Sequence, residues 1–251
     1  MKTGEFHGKV AWVTGAGQGI GLATATALQD DGARVIGLDV AFTEAEYPFE
    51  CMHLDITDTQ QVAETCARLL AQDLVPDVLI NAAGILVQGD CSQLSLTDWQ
   101  RCFDVNVSGA FHLLRLLIPV FKERRQGAIV NVASNAASVP RSNMAAYCAS
   151  KAALLSLSRC VALEVAPYGI RCNSVSPGST DTPMLAQLLS DSSAVEKTLK
   201  GVPETFRVGI PLGKIASPRE VAQTILFLAS ERASHITLHD LTVDGGATLG
   251  C

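Results

Sequence analysis

The sequence predicts a doubly wound α/β fold: a parallel sheet of about seven strands with helices on both faces. Three observations predict it. Strand-length runs rich in Val, Ile and Ala recur without alternating apolar and polar residues, as strands buried on both faces do. Longer segments with helical spacing separate them, and the first run leads straight into a glycine-rich turn that opens a helix. The composition can fill such a core, since 48% of the 251 residues are hydrophobic and only 18% are charged, which argues against disorder or a fibrous repeat.

The elements follow in chain order. Residues 10–14 (Val-Ala-Trp-Val-Thr) form the first strand, and residues 19–30 the helix that the glycines open. A second apolar run, 33–39, closes the first strand-helix-strand unit, and a short strand at 51–54 follows. Asp58 stands as a cap before the helix expected at 60–72, and 77–81 is the next strand. A long helix is predicted over 96–125, with Pro119 near its end or at a kink and Lys122, Arg124 and Arg125 as cations favoured by the C-terminal dipole. The run 128–133 is a strand, 145–166 a helix rich in small and apolar residues, and 170–175 a strand. Ser217-Pro218 places a cap and a first-turn proline before the helix at 219–230, and 241–243 is the last strand. No Pro-, Gly- or Ser-rich linker and no repeat divides the chain, so one domain is expected over 1–251. Residues 179–216 are the exception: polar at 190–193 and too long for a routine connection, they read as a lid over a site.

Charge and thiols narrow the function. With 19 Lys plus Arg against 25 Asp plus Glu the net charge is −6, and the pI is near 5.3. No basic block suits nucleic acid, so none is expected as a partner. Residues 1–9 lack the apolar core of a signal peptide, and no run of 18 uncharged apolar residues suggests a membrane span, so the expected location is the cytoplasm. The eight cysteines, at 51, 66, 91, 102, 148, 160, 172 and 251, form no Cys-x-x-Cys pair and read as small buried hydrophobes or idle thiols.

The turn after the first strand reads Thr14-Gly15-Ala16-Gly17-Gln18-Gly19-Ile20-Gly21. Glycines let the chain turn tightly and approach a pyrophosphate, while helix N-terminal N–H groups face the anion. The spacing Gly15-x-x-x-Gly19-x-Gly21 is not G-x-G-x-x-G, and it lacks the Gly-Lys-Ser/Thr of a triphosphate loop. Asp39 ends the second strand 24 residues beyond Gly15, where an acid meets the adenine ribose hydroxyls. Its carboxylate repels a 2′-phosphate, and neither Val40 nor Gln18 offers a cation, so the cofactor expected is NAD rather than NADP. Tyr147 and Lys151, four apart on a predicted helix, share one face, and a cation beside a phenol lowers its pKa. Such a pair can take a proton from an alcohol.

These motifs, with Asn81-Ala82-Ala83-Gly84, Asn106, Ser134, Pro177-Gly178 and Val243-Asp244-Gly245-Gly246, resemble the short-chain dehydrogenase/reductase family over essentially the whole chain. The resemblance implies a Rossmann fold and a tetrad. Tyr147 would be the general base, Lys151 would lower its pKa and hold the nicotinamide ribose, Ser134 would orient the substrate oxygen, and Asn106 would hold a relay water. It also implies Asp55 and Ile56 at the adenine and Asn81, Ala82, Ala83 and Gly84 against the cofactor. Pro177, Gly178 and Thr180 join them, with Thr182 on the carboxamide. Ala82 departs from the family pattern, where many relatives carry a second Asn.

Arg141, six residues before Tyr147, borders the expected alcohol site and could clamp a carboxylate. A narrower resemblance points the same way. Residues 42–49, 175–182, 209–216 and 234–240 are similar to the family members that oxidise an anionic cyclic trans-diol carboxylate with NAD. Their ketone product tautomerises to a catechol in siderophore biosynthesis. Met144 and Met184 would then wall the ring, with Arg207 or Lys200 as other candidates for the carboxylate. Rival readings are another alcohol dehydrogenase or 3-ketoacyl reductase of the family, and a non-catalytic NAD-sensing module. His235 and His239 lack the Glu of H-E-x-x-H and lie in an extended stretch, so no metal is expected. By analogy of fold, a homotetramer paired through 96–125 and 145–166 is expected.

Overall fold

The computed structural model describes residues 4–189 and 192–250. Residues 190 and 191 of the expected lid, Cys251 and the first three residues lie outside them. The chain runs β1 (Val10–Thr14), α1 (Gly19–Asp30), β2 (Arg34–Asp39), β3 (Glu50–His53), α2 (Thr59–Ala71) and β4 (Val78–Asn81). There follow α3 (Leu96–Phe103), α4 (Gly109–Arg124), β5 (Ala128–Val132), α5 (Ala145–Val165) and β6 (Arg171–Pro177). Then come α6 (Pro183–Ala186), α7 (Ser192–Lys200), a hairpin of β7 (Gly201–Val202) with β8 (Arg207–Val208), α8 (Pro218–Ala229) and β9 (Asp240–Val243). Strand and helix ends lie within a residue or two of the sequence expectation.

Seven strands pair in the order β3-β2-β1-β4-β5-β6-β9, all parallel. Alternate residues of each strand enter opposite cores, which is why the runs do not alternate in polarity. Ala11 and Val13 meet Ala25 and Leu28 of α1 and Val221 and Ile225 of α8 on one face. Trp12 meets Leu69 of α2, Leu113 and Phe121 of α4 and Val161 of α5 on the other. Each fully buried Val, Leu, Ile or Phe among them contributes about 1.5–3 kcal/mol. The caps at Asp58 and Ser217 form as the sequence indicates: Asp58 accepts the N–H groups of Gln60 and Gln61, and Ser217 makes a reciprocal box with Glu220.

The expected single helix over 96–125 is one 29-residue rod, long and apolar enough by composition to cross a membrane, but its apolar face packs on the sheet. A π-turn, Asp104–Ser108, separates α3 from α4. Pro119 does not end it, and Arg124 pairs with Asp77 at 2.9 Å. The strand order reverses between β1 and β4, and at such a switch point the carboxyl ends of the strands open a crevice.

Candidate active site

Thr14, buried at the end of β1, accepts the N–H groups of Ala82 at 3.1 Å and Ala83 at 3.2 Å. The bonds draw the loop after β4 onto the glycine turn. Gly15 takes φ +69°, and a side chain there would begin 2.7 Å from the Ala83 nitrogen, so no other residue fits. Gly19 takes φ +56° where α1 opens, and the Thr182 methyl stands 3.2 Å from where its side chain would begin. No side chain caps α1, so its first N–H groups remain for an anion. The cradle fits a dinucleotide pyrophosphate.

At the end of β2 the Asp39 carboxylate accepts Gly17 N–H at 2.8 Å and Ala41 N–H at 3.2 Å. Tyr47, to which sequence reasoning assigned no role, donates its hydroxyl to the Gly17 carbonyl at 3.0 Å and accepts from Thr43 N–H. The aromatic stretch after β2 thereby straps the glycine turn. Asp55 accepts the N–H and hydroxyl of Thr57, and Ile56 fills the space that Gly109 leaves.

A cavity of about 1250 Å³ runs over these ends, larger than a drug-sized ligand needs. Gly15, Gln18, Gly19, Ile20, Asp39, Asp55 and Ile56 line one part of it. Ala82, Ala83, Gly84, Pro177, Gly178, Thr180 and Thr182 line the middle. Ser134, Arg141, Met144, Tyr147, Lys151 and Met184 surround the rest. Three expected residues do not line it. Gly17 lies behind Asp39. Asn81 points away: its amide donates to Asn131 of β5 at 2.8 Å, and Asn131 donates to Ser158 of α5, because Asn81 and Asn131 are register partners on one face. Asn106 sits inside the π-turn, its side chain clamping both polar groups of the Ile85 backbone, at 2.8 and 3.0 Å, and donating to Ser150. These bonds fix the loop after β4, and the Asn106 Oδ1, which accepts the Ile85 N–H, keeps a second lone pair.

Tyr147 and Lys151 project from adjacent turns of α5, and the Lys151 ammonium lies 5.9 Å from the centre of the Tyr147 ring. Lys151 donates to the Val132 carbonyl at 2.9 Å. Ser134, just past β5, accepts Ala136 N–H and lies close enough to Tyr147 to pull its phenol pKa down. The expected lowering of the phenol does not occur in the protein alone. Burial pushes Tyr147 up to about 12 against the pull of Ser134, and burial pushes Lys151 down to about 8. Desolvation of both groups outweighs their proximity.

Residues 179–216 hold α6, α7 and the β7–β8 hairpin, and Met184 of α6 faces the cavity. Arg141 and Arg207 both line it, each half-buried, and burial lowers the pKa of each. Lys200 does not. It pairs with Glu196 at 2.7 Å in solvent.

Over residues 15–248 the chain matches the family model described as enoyl-(acyl carrier protein) reductase. It is 56% identical to 2,3-dihydro-2,3-dihydroxybenzoate dehydrogenase of Escherichia coli, over 98% of this chain and 99% of the relative. It is 44% identical to the Bacillus subtilis enzyme of the same name, over the whole of both chains. The ligand-free aldohexose dehydrogenase of Thermoplasma acidophilum superposes with a TM-score of 0.89 at 35% identity, over 98% of this chain and 96% of its own.

Proposed function

The chain belongs to the short-chain dehydrogenase/reductase family, as an oxidoreductase that uses a nicotinamide cofactor, and on that premise we propose that it oxidises 2,3-dihydro-2,3-dihydroxybenzoate to 2,3-dihydroxybenzoate with NAD, in catecholate siderophore biosynthesis. The observation that carries the reading is Arg141: a half-buried guanidinium on the wall that holds Tyr147 and Ser134, with no ion pair among the described residues. A carboxylated ring supplies the anion this wall lacks. The names of the two curated relatives point to the same acid.

When bound, the nicotinamide supplies the hydride acceptor. The protein's part is to place the alcohol and remove its proton. Ser134 orients the hydroxyl, and the Tyr147 oxygen takes the proton as the C–H hydride leaves and the carbonyl forms. The ketone then loses a ring proton and gains one on oxygen, giving the catechol. Lys151 favours the phenolate and holds the ribose, and Asn106 positions the loop of Gly84. Asp39 takes the adenine ribose hydroxyls and repels a 2′-phosphate, which supports NAD and speaks against a ketoacyl reductase that prefers the phosphorylated form. Residues 179–216 act as the lid of one domain. A homotetramer is supported by the exposed Phe111 of α4 and Leu163 of α5, and free thiols at the described cysteines suit a cytoplasmic enzyme.

The test is a panel of cyclic alcohols, carboxylated and neutral, each incubated with NAD or NADP. Formation of reduced NAD with an equal amount of catechol from the diol acid supports the reading. Preference for a neutral alcohol or an acyl thioester overturns it.

A further inference from the structure

A second guanidinium shares the substrate end of the cavity. Arg207 comes from β8, in the segment expected to cover the site, and lines the same cavity as Arg141, Ser134 and Tyr147. The two arginines lie near enough that the charge of Arg141 adds to burial in lowering the pKa of Arg207. Both stay protonated, since a guanidinium holds its proton in any protein environment. Among the described residues neither makes an ion pair. Arg207 donates to the Ser179 hydroxyl at 3.3 Å. Asp244 acts on Arg141 only through space, without an ion pair, its carboxylate accepting from Asn135, Thr248 and the Gly246 N–H.

Two like charges held together in a partly desolvated wall are unfavourable unless an anion sits between them. A carboxylate has two oxygens, each able to accept from a separate guanidinium fork. We propose that the substrate carboxylate is bound between Arg141 and Arg207, and that Arg207 selects acids over neutral diols while tying the β7–β8 hairpin to the catalytic wall. The inference rests on the functional reading above and goes beyond it by assigning the second cation.

Steady-state kinetics of Arg141→Gln, Arg207→Gln and the double variant test it, with the diol acid, its carboxamide and saturating NAD. Each single change should raise KM for the acid roughly 10- to 100-fold, with kcat much less affected and the carboxamide bound as well as before or better. The two effects should fall short of adding, because either loss releases the shared anion. Arg207→Lys, which keeps the charge but not the fork, should recover part of the loss, and calorimetric binding of 2,3-dihydroxybenzoate should weaken in step without any turnover. Lys200→Ala should match the wild type. An unchanged KM and product affinity in both Arg207→Gln and Arg207→Lys, with the wild type active on the acid, would overturn the pair alone. A wild type that ignores the acid would overturn the functional reading and the pair together.

Discussion

Thr14→Val isolates the contact that joins the two cofactor-facing loops. Valine keeps the branched shape of the buried residue but removes the acceptor shared by the Ala82 and Ala83 N–H groups. A buried donor left without a partner costs about 1–3 kcal/mol. Both alanines are half-buried, so cleft water satisfies part of the demand, and about 2–4 kcal/mol is expected for the pair. For a chain of this length each kcal/mol lowers Tm by about 2–4 °C, so the drop should be on the order of 4–16 °C. The affinity for NAD should fall as well, because Gly15 and Ala83 then separate. Thermal unfolding without ligand reads the first effect and calorimetric titration with NAD the second. Thr14→Ser, which restores the hydroxyl, should recover most of both. A valine variant melting within about one degree of the wild type, or a serine variant as damaged as valine, would refute the reasoning.

Lys151→Met should change the pH dependence of stability. With Lys151 held at about 8 in the fold and 10.5 as its ordinary value, the unfolded chain binds the extra proton between those pH values, so folding is favoured more as pH rises. The wild type should therefore gain about 2 kcal/mol relative to the variant between pH 8 and 9.5, measured by urea unfolding. Above pH 10 the sign reverses for Tyr147, whose raised pKa keeps a proton in the fold that the unfolded chain has lost. Gly21→Ala would place a methyl carbon 1.9 Å from the Gly15 carbonyl oxygen, backbone against backbone. The turn must open, with NAD binding weakened more than 10-fold and about 1–3 kcal/mol of stability lost. Wild-type NAD affinity in that variant would contradict the cradle.

Much of this was readable in the sequence because it depends on local rules. Non-alternating runs such as Val78–Asn81 indicate two-sided burial, and Ser217-Pro218 indicates a helix start. Side-chain direction at strand ends is different. Asn81 belongs to a motif that faces a cofactor, yet the pleat turns its amide toward Asn131, a contact set by strand pairing 50 residues away. Asn106 was found by resemblance, but only the fold shows that its amide clamps both polar groups of the Ile85 backbone. Tyr47 reaches its partner from a loop, and Arg207 from a two-residue strand, whose paths no periodicity dictates. The phenol deviates in the same way: adjacency on a helix predicts a cation's influence, whereas burial comes from the tertiary fold.

The most direct measurement is turnover of the diol acid by Tyr147→Phe beside its affinity for NAD. The buried hydroxyl against Ser134 is the proton acceptor in this account, so kcat should fall by about 10²- to 10⁴-fold or more while NAD binds as in the wild type. Near-normal turnover in the phenylalanine variant would mean that the proton leaves by another route.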